Sequence, residues 1–225
     1  MLPRVLVHTA VSADGRTTGF DADLGQFYGV VAEWSADCML TGADTIVMAP
    51  EYEPDDPTAP APDVEPAGSQ LLAVVDSRGR VRNWRWLKQF SQFWRDPLAL
   101  VSRATPQEYL DEVRRAGCDA LVAGDERVDL RAALELLVAE RGVTRVRVDS
   151  GGALIGALFA AGLVHEVSLM VHPVFAGGAD EHTVNRLVAP DGVVGAAVSA
   201  GLSLVDAQRL DGGVARLLYE VEAAG

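Results

Sequence analysis

The chain has 225 residues, of which 49% are hydrophobic and 23% charged, a composition typical of a globular protein with a sizeable core. Its net charge of −13 excludes the basic face that nucleic-acid binding requires, so an anionic ligand must be held by local groups. No apolar run reaches the ~18 residues that a membrane span needs, and the first residues lack the features of a signal peptide. We therefore expect a cytoplasmic protein without nucleic-acid or membrane partners, in which Cys38 and Cys118 are buried free thiols.

Hydrophobic periodicity predicts alternating strands and helices. The predicted strands cover 3–11, 38–40, 71–75, 98–101, 120–123, 143–148 and 164–174. The predicted helices cover 27–36, 106–115 capped by Thr105, 130–140 capped by Asp129, and 152–161. Alternating strands and helices favour a mainly parallel sheet, and the Asp211–Gly213 turn between strands 202–210 and 214–221 predicts a terminal hairpin. The expected fold is thus one α/β domain over 1–225, with helices flanking a mainly parallel central sheet and an antiparallel C-terminal hairpin.

Residues 50–69 form a distinct segment, with six of the eleven prolines, six acidic residues and no basic residue. This composition predicts an extended acidic loop. Whether the loop is mobile, or a solvated insertion without a role, stays open at this point.

The turn from Asp149 to Leu154 is the strongest local signal of a ligand site. A strand ends there, Gly151 and Gly152 follow, and an apolar helix begins. Glycines let the backbone approach a ligand closely, and the free N–H groups of a helix N-terminus favour phosphate. The alternative is that Asp149 or Ser150 caps the helix and the glycines form a tight turn. The G-x-G-x-x-G fingerprint of the standard dinucleotide fold is absent.

Three further strand ends carry groups compatible with phosphate or a polar substrate: 12–15, 41–45 and 76–80. In a parallel sheet the carboxyl ends of the strands meet along one edge, where ligands bind. The four histidines show no metal-ligand spacing, so no metal site is predicted. The aromatic stretch from Trp84 to Trp94 is typical of a packing surface, against a neighbouring element or a dimer partner.

The ordered motifs Ser12–Arg16, Gly42–Thr45, Val75–Arg78 and Asp149–Leu154 resemble those of the riboflavin-biosynthesis pyrimidine reductases. The resemblance extends to 165–167, 173–178 and the terminal hairpin, and so covers nearly the whole chain. This family shares the dihydrofolate reductase fold and also occurs as the C-terminal half of a bifunctional deaminase-reductase. No zinc motif of a deaminase is present here, which excludes deamination as a second activity.

The resemblance implies NADPH as hydride donor, a small-molecule substrate and a homodimer. It implies that the cofactor is bound by Thr45, Ser77, Arg78, Gly151, Gly152, Ala153 and Leu154. It places Ser12, Asp14, Glu33 and Asp149 near the substrate, and it names no catalytic residue. The family reduces the ribose of a ribosylaminopyrimidine phosphate to a ribityl chain, for which the protein mainly positions donor and acceptor.

The chain departs from the family at two positions that bind the substrate phosphate. Glu33 occupies the position of an arginine in the bifunctional members, and the loop 50–69 lacks a second arginine. Arg16, Arg80 or Arg103 are candidates to replace them, unless the substrate carries no phosphate.

Two alternatives therefore stay open. One is dihydrofolate reductase proper, for which Asp21, Asp23 and Glu33 are candidate acids although the expected tryptophan turn is missing. The other is a nucleotide-binding paralogue without catalysis.

Overall fold

The structure is a computed structural model that describes residues 1–49, 52–56, 58–64, 68–90, 93–177 and 200–222. These residues form nine strands and six helices. The strands are β1 (Arg4–Ser12), β2 (Cys38–Gly42), β3 (Leu71–Val75), β4 (Pro97–Val101), β5 (Asp119–Val122), β6 (Arg145–Val148), β7 (Glu166–His172), β8 (Leu202–Arg209) and β9 (Ala215–Val221). The helices are α1 (Leu24–Val31), α2 (Ala43–Val47), α3 (Trp84–Gln89), α4 (Gln107–Arg115), α5 (Leu130–Arg141) and α6 (Gly152–Ala160).

The chain divides into two compact units. The first comprises Met1–Pro3 and Ala36–Val146, and the second Arg4–Ser35 and Arg147–Gly225. The boundary falls within β6. The expectation of a single domain over 1–225 stays a prediction.

In the first unit, four strands pair in parallel in the order β5-β4-β3-β2. Their residues are almost all apolar, as expected for strands covered on both faces. Trp84 and Tyr109, both fully buried, fill the core beside β3 and β4. Because the strands are parallel, the segments after β2, β3 and β4 lie at the same edge of the sheet.

In the second unit, β1 pairs in parallel with β7, β9 pairs antiparallel with β7, and β8 pairs antiparallel with β9. Helix α1 packs its apolar side, Phe27 and Val30, against Met170 and Val214. The predicted terminal hairpin is therefore confirmed, and so is the predicted α/β class with mainly parallel strands.

Several local expectations need correction. Residues 43–47 form the short helix α2, which the periodicity did not predict. Helix α1 begins three residues earlier than predicted, because the Asp23 side chain accepts a hydrogen bond from Gln26 N and caps it. Thr105 does not cap α4; Pro106 is the N-cap, and the Thr105 hydroxyl donates to the Ser77 carbonyl at 2.9 Å instead. The Asp129 cap of α5 and the two buried free cysteines are confirmed. Among the described helices, none has the length and apolar character to cross a membrane.

His8 on β1 is a fully buried histidine in the core of the second unit. Its Nε2 lies 3.2 Å from the Phe27 carbonyl and its Nδ1 lies 3.1 Å from Ser168 Oγ. The carbonyl can only accept, so Nε2 carries the proton and Nδ1 accepts from the hydroxyl. Burial lowers the pKa of His8 from 6.5 to about 4.

This lowered pKa predicts a loss of stability in acid. Between pH 6.5 and about 4 the unfolded chain binds a proton at His8 and the folded chain does not, so the free energy of unfolding falls as the pH falls. The expected loss is about 3 kcal/mol. Urea denaturation of the native chain and of His8→Gln checks it, because the glutamine variant should lack this part of the pH dependence. An equally steep acid loss in the variant would contradict the assignment.

Candidate active site

Helix α6 begins at Gly152, directly after its N-cap Gly151, which has no side chain that could cap the helix. Neither Asp149 nor Ser150 is therefore the N-cap residue. A Cβ added at Gly151 would meet no atom within 4 Å. The space beside Gly151 and the N-terminus of a nine-residue helix together make this turn a candidate phosphate site.

Asp149 lies two residues before this N-cap, directly after β6. Its side chain is half-buried, and no described residue donates a hydrogen bond to its carboxylate. Burial raises the pKa of Asp149, and the positive charge of Arg147 only partly opposes this. The pKa of the Tyr28 hydroxyl is also raised. Burial is the main cause, and the negative charge of nearby Asp149 is the second. A carboxyl group without hydrogen-bond partners and with a raised pKa is suited to donate a proton.

Ser12 and Asp14 lie together in the turn after β1. The Ser12 hydroxyl donates to Asp14 Oδ1 at 2.6 Å, and Ala176 N donates to the same oxygen at 2.9 Å. Arg16 approaches Asp14 Oδ2 to 3.3 Å. The hydrogen bond from Ser12 is the main cause of the lowered pKa of Asp14. Asp14 therefore stays ionised and ties its turn to the segment after β7.

Glu33 makes an ion pair that sequence reasoning did not find. Arg216 Nη1 on β9 lies 2.7 Å from Glu33 Oε2, and the Arg216 guanidinium stacks over Trp34 at 5.2 Å from the ring centroid. The Arg216 side chain is only 4% exposed, whereas that of Glu33 is 58% exposed. The Arg216 guanidinium, which β9 supplies, thus places a positive charge beside Glu33, the position at which the bifunctional reductases carry an arginine.

The turn after β3 in the first unit is built around Asp76. Its Oδ2 accepts from Arg80 N at 2.7 Å, Val81 N at 2.9 Å and the Tyr109 hydroxyl at 3.0 Å. Gly79 has a φ of +64°, and a Cβ there would lie 2.7 Å from the Tyr109 ring. Only glycine therefore fits this point of the turn.

Ser77 and Arg78 follow at the outer side of this turn. Ser77 Oγ accepts from Val128 N at 2.9 Å, which leaves its hydroxyl hydrogen available to a ligand. Arg78 is exposed and makes no ion pair with any described residue. Thr45, the other predicted cofactor residue of this unit, lies on α2.

The three candidate replacement arginines are all paired with carboxylates. Arg16 approaches Asp14, Arg80 Nη1 lies 2.6 Å from Asp44 Oδ1, and Arg103 pairs with Asp125. Arg78 differs from them in having its guanidinium uncommitted among the described residues. No group of three or more histidine, cysteine, aspartate or glutamate side chains in the described ranges is placed to hold a metal ion.

Comparison with known proteins identifies the family. The RibD C-terminal domain family matches residues 3–215. The chain belongs to this family. The 2,5-diamino-6-ribosylamino-4(3H)-pyrimidinone 5′-phosphate reductase of Archaeoglobus fulgidus is 32% identical to this RibD-type chain over 203 residues, which is 82% of the chain and 86% of that protein.

Solved structures share the fold. A pyrimidine reductase-like protein from Corynebacterium diphtheriae matches 98% of the RibD-type chain and 92% of its own chain, with a TM-score of 0.71 and 17% identity. Acinetobacter baumannii RibD matches 98% of the chain with a TM-score of 0.69 and 20% identity. The RibD-type chain spans only 58% of the length of that protein. The predicted family and fold are therefore confirmed.

Proposed function

We propose that this protein is an NADPH-dependent reductase of a ribosylaminopyrimidine 5′-phosphate in riboflavin biosynthesis. The observation that carries the proposal is the glycine turn at the N-terminus of α6, with space beside Gly151, in a member of the RibD C-terminal domain family. The name of the A. fulgidus relative supports a substrate that still carries both amino groups of the pyrimidinone. The product of deamination, a 5-amino-6-ribosylaminouracil phosphate, is the second candidate, since a Thermotoga maritima protein with the same fold is named for its reduction.

The residues present fit the cofactor. The N–H groups of Gly152, Ala153 and Leu154 lie in the first turn of α6 and would bind the pyrophosphate, because the dipole and the N–H donors of a helix N-terminus both favour an anion. Thr45 stays a proposed pyrophosphate residue, and Ser77 and the uncommitted Arg78 are donors suited to the remaining phosphate of NADPH. NADPH supplies the hydride when bound.

Asp149 would supply the proton that the reduction needs. Opening the ribose ring of a ribosylamine requires a proton on the ring oxygen, and the resulting iminium carbon then accepts a hydride. Burial raises the pKa of the half-buried Asp149 carboxyl, which in its protonated form can donate that proton and regain one from solvent afterwards. Ser12, Asp14 and Glu33 stay proposed substrate residues. Of these, Glu33 together with Arg216 offers a paired carboxylate and guanidinium rather than a single charge.

We also propose that the protein is a homodimer and that β8 lies at its interface. Strand β8 is the outermost strand of the second unit, and Leu202, Leu204 and Val205 are exposed by 41%, 57% and 56%. An exposed apolar strand edge favours pairing with another chain. The expected cytoplasmic location stays a prediction.

Arg78→Ala tests the assignment of the cofactor. Removing an uncommitted guanidinium from a phosphate should weaken NADPH binding roughly tenfold, allowing for the exposure of the site. NADH lacks this phosphate, so its affinity should hardly change. Fluorescence titration with both cofactors measures the two dissociation constants.

Arg103→Ala is the matched control, because it removes an exposed arginine that is already paired with Asp125. It should leave both affinities unchanged. Equal losses for NADPH and NADH in Arg78→Ala would show that the extra phosphate lies elsewhere.

A further inference from the structure

Hydrogen bonds attach the acidic segment after α2 to residues in α3 and directly before it. Asp55 Oδ2 accepts from Arg85 N at 2.6 Å, and its Oδ1 accepts from Trp86 N at 3.3 Å. Arg85 Nε donates to the Pro60 carbonyl at 2.7 Å, and Asp55 N donates to the Arg82 carbonyl at 2.7 Å. We call the described residues 52–56 and 58–60 the strap. These contacts come from both the backbone and the side chains of the strap, so it has a defined position.

Tyr52 joins the strap to the turn after β3. Its hydroxyl accepts from Arg82 N at 3.1 Å and donates to the Arg80 carbonyl at 3.3 Å. The Tyr52 phenol oxygen therefore bonds both to the carbonyl of Arg80 and to the N–H of Arg82, in the backbone that follows the turn.

The same turn is held from its inner side by Asp76. The hydrogen bond from Arg80 N to Asp76 Oδ2 fixes the residue whose carbonyl bonds to Tyr52. Ser77 and Arg78 lie between Asp76 and Arg80, in the part of the turn that this hydrogen bond closes. The inner attachment includes the buried Tyr109 hydroxyl, whereas the outer one consists of the Tyr52 hydroxyl and of the Asp55 N–H, which donates to the Arg82 carbonyl.

Two carboxylates of the strap, those of Asp55 and Asp56, are engaged by groups other than Arg78. Asp55 is occupied by the two N–H groups of α3, and Asp56 accepts from Thr58 N at 2.8 Å and from Thr58 Oγ1 at 2.7 Å. Among the described residues, none of the ion pairs links the strap to Arg78. An acidic segment thus borders the turn while its Asp55 and Asp56 carboxylates accept hydrogen bonds from other groups.

From this arrangement we infer that the strap positions the turn that carries Ser77 and Arg78, and that Tyr52 is a positioning residue for the choice of NADPH over NADH. The inference rests on the proposed function of this turn. Without the Tyr52 hydroxyl, the backbone at 80–82 loses two of its three hydrogen bonds to the strap, and the turn can sample positions in which Arg78 no longer meets the extra phosphate. The affinity for NADH, which has no such phosphate, does not depend on that position.

Titration of both cofactors against Tyr52→Phe tests the inference. The ratio of the NADH to the NADPH dissociation constant should fall roughly three- to tenfold, the effect of losing about one net hydrogen bond. Tyr219→Phe is the matched control, because the Tyr219 hydroxyl makes no hydrogen bond with the described residues. It should keep the native ratio.

A second pair of variants tests the Asp55 carboxylate, which attaches the strap to α3. Asp55→Ala should lower the same ratio and also make the strap more sensitive to limited proteolysis, whereas Asp56→Ala removes an equal charge next to it and should change neither. The inference is overturned if Tyr52→Phe and Asp55→Ala, both folded by thermal denaturation, keep the native ratio. It is also overturned if Asp56→Ala lowers the ratio as much as Asp55→Ala. If the native chain bound neither NADPH nor NADH, the proposed function itself would fail. That outcome differs from one in which the native chain prefers NADPH and the variants keep this preference, which overturns only the inference.

Discussion

Gly151→Asp should bind NADPH roughly 30- to 1,000-fold more weakly than the native protein. A carboxylate at the N-cap of α6 would lie against the phosphate, and two like charges about 4 Å apart repel by a few kcal/mol in a partly exposed site. The new side chain would also accept hydrogen bonds from the first N–H groups of the helix, which removes donors from the ligand. Isothermal titration calorimetry with NADPH measures the loss.

Gly151→Asn is the matched control for this variant. Asparagine has the size and capping ability of aspartate without its charge, and a Cβ at this position meets no atom within 4 Å. Both variants should therefore unfold at or slightly above the native temperature. The aspartate variant should bind NADPH at least tenfold more weakly than the asparagine variant, by roughly the repulsion of one charge pair. Equal affinities for the two variants would show that no phosphate approaches this helix.

Asp149→Asn should lower kcat by about 10²–10⁴-fold, the usual contribution of a positioned general acid. The amide matches the carboxyl group in shape but has no proton of comparable acidity to donate. NADPH affinity should change little, since the phosphate donors belong to the backbone after it. Steady-state kinetics and cofactor titration of the same preparation separate the two effects.

The pH dependence of the native enzyme gives a second test of Asp149. The acid must be protonated to act, so kcat should be highest below its raised pKa and should fall as the pH rises through that value. Asp149→Glu, which keeps a carboxyl group, should retain more activity than Asp149→Asn. A native profile that does not fall toward alkaline pH, or an asparagine variant with native kcat, would remove Asp149 from the proton transfer.

Local patterns in the sequence were sufficient for most of the fold. The buried run at β3 and the cap of α5 by Asp129 need only neighbouring residues, and both predictions are confirmed. The glycine turn at 151–152 was found for the same reason. Thr105 shows the limit, because a residue with the right position for a cap bonds instead to the Ser77 carbonyl, 28 residues away.

Several contacts of the candidate site join residues that lie far apart in the sequence, and these could not be predicted from local patterns. Glu33 meets Arg216 across 183 residues, and Asp14 meets Ala176 across 162. Nothing in the spacing of either pair marks it in the sequence, because the pairing of β1, β7 and β9 brings these residues together. The contacts of the strap were hidden in the same way, since its composition predicted only an extended loop.

Transfer of deuterium from NADPH labelled at C4 of the nicotinamide ring tests the central claim most directly. The native protein is incubated with labelled NADPH and 2,5-diamino-6-ribosylamino-4(3H)-pyrimidinone 5′-phosphate, and the product is analysed by mass spectrometry. We expect a ribityl product that carries one deuterium at the former anomeric carbon, formed with equal consumption of NADPH. If neither this substrate nor its deaminated form is reduced by a protein that is folded, the function proposed here is wrong.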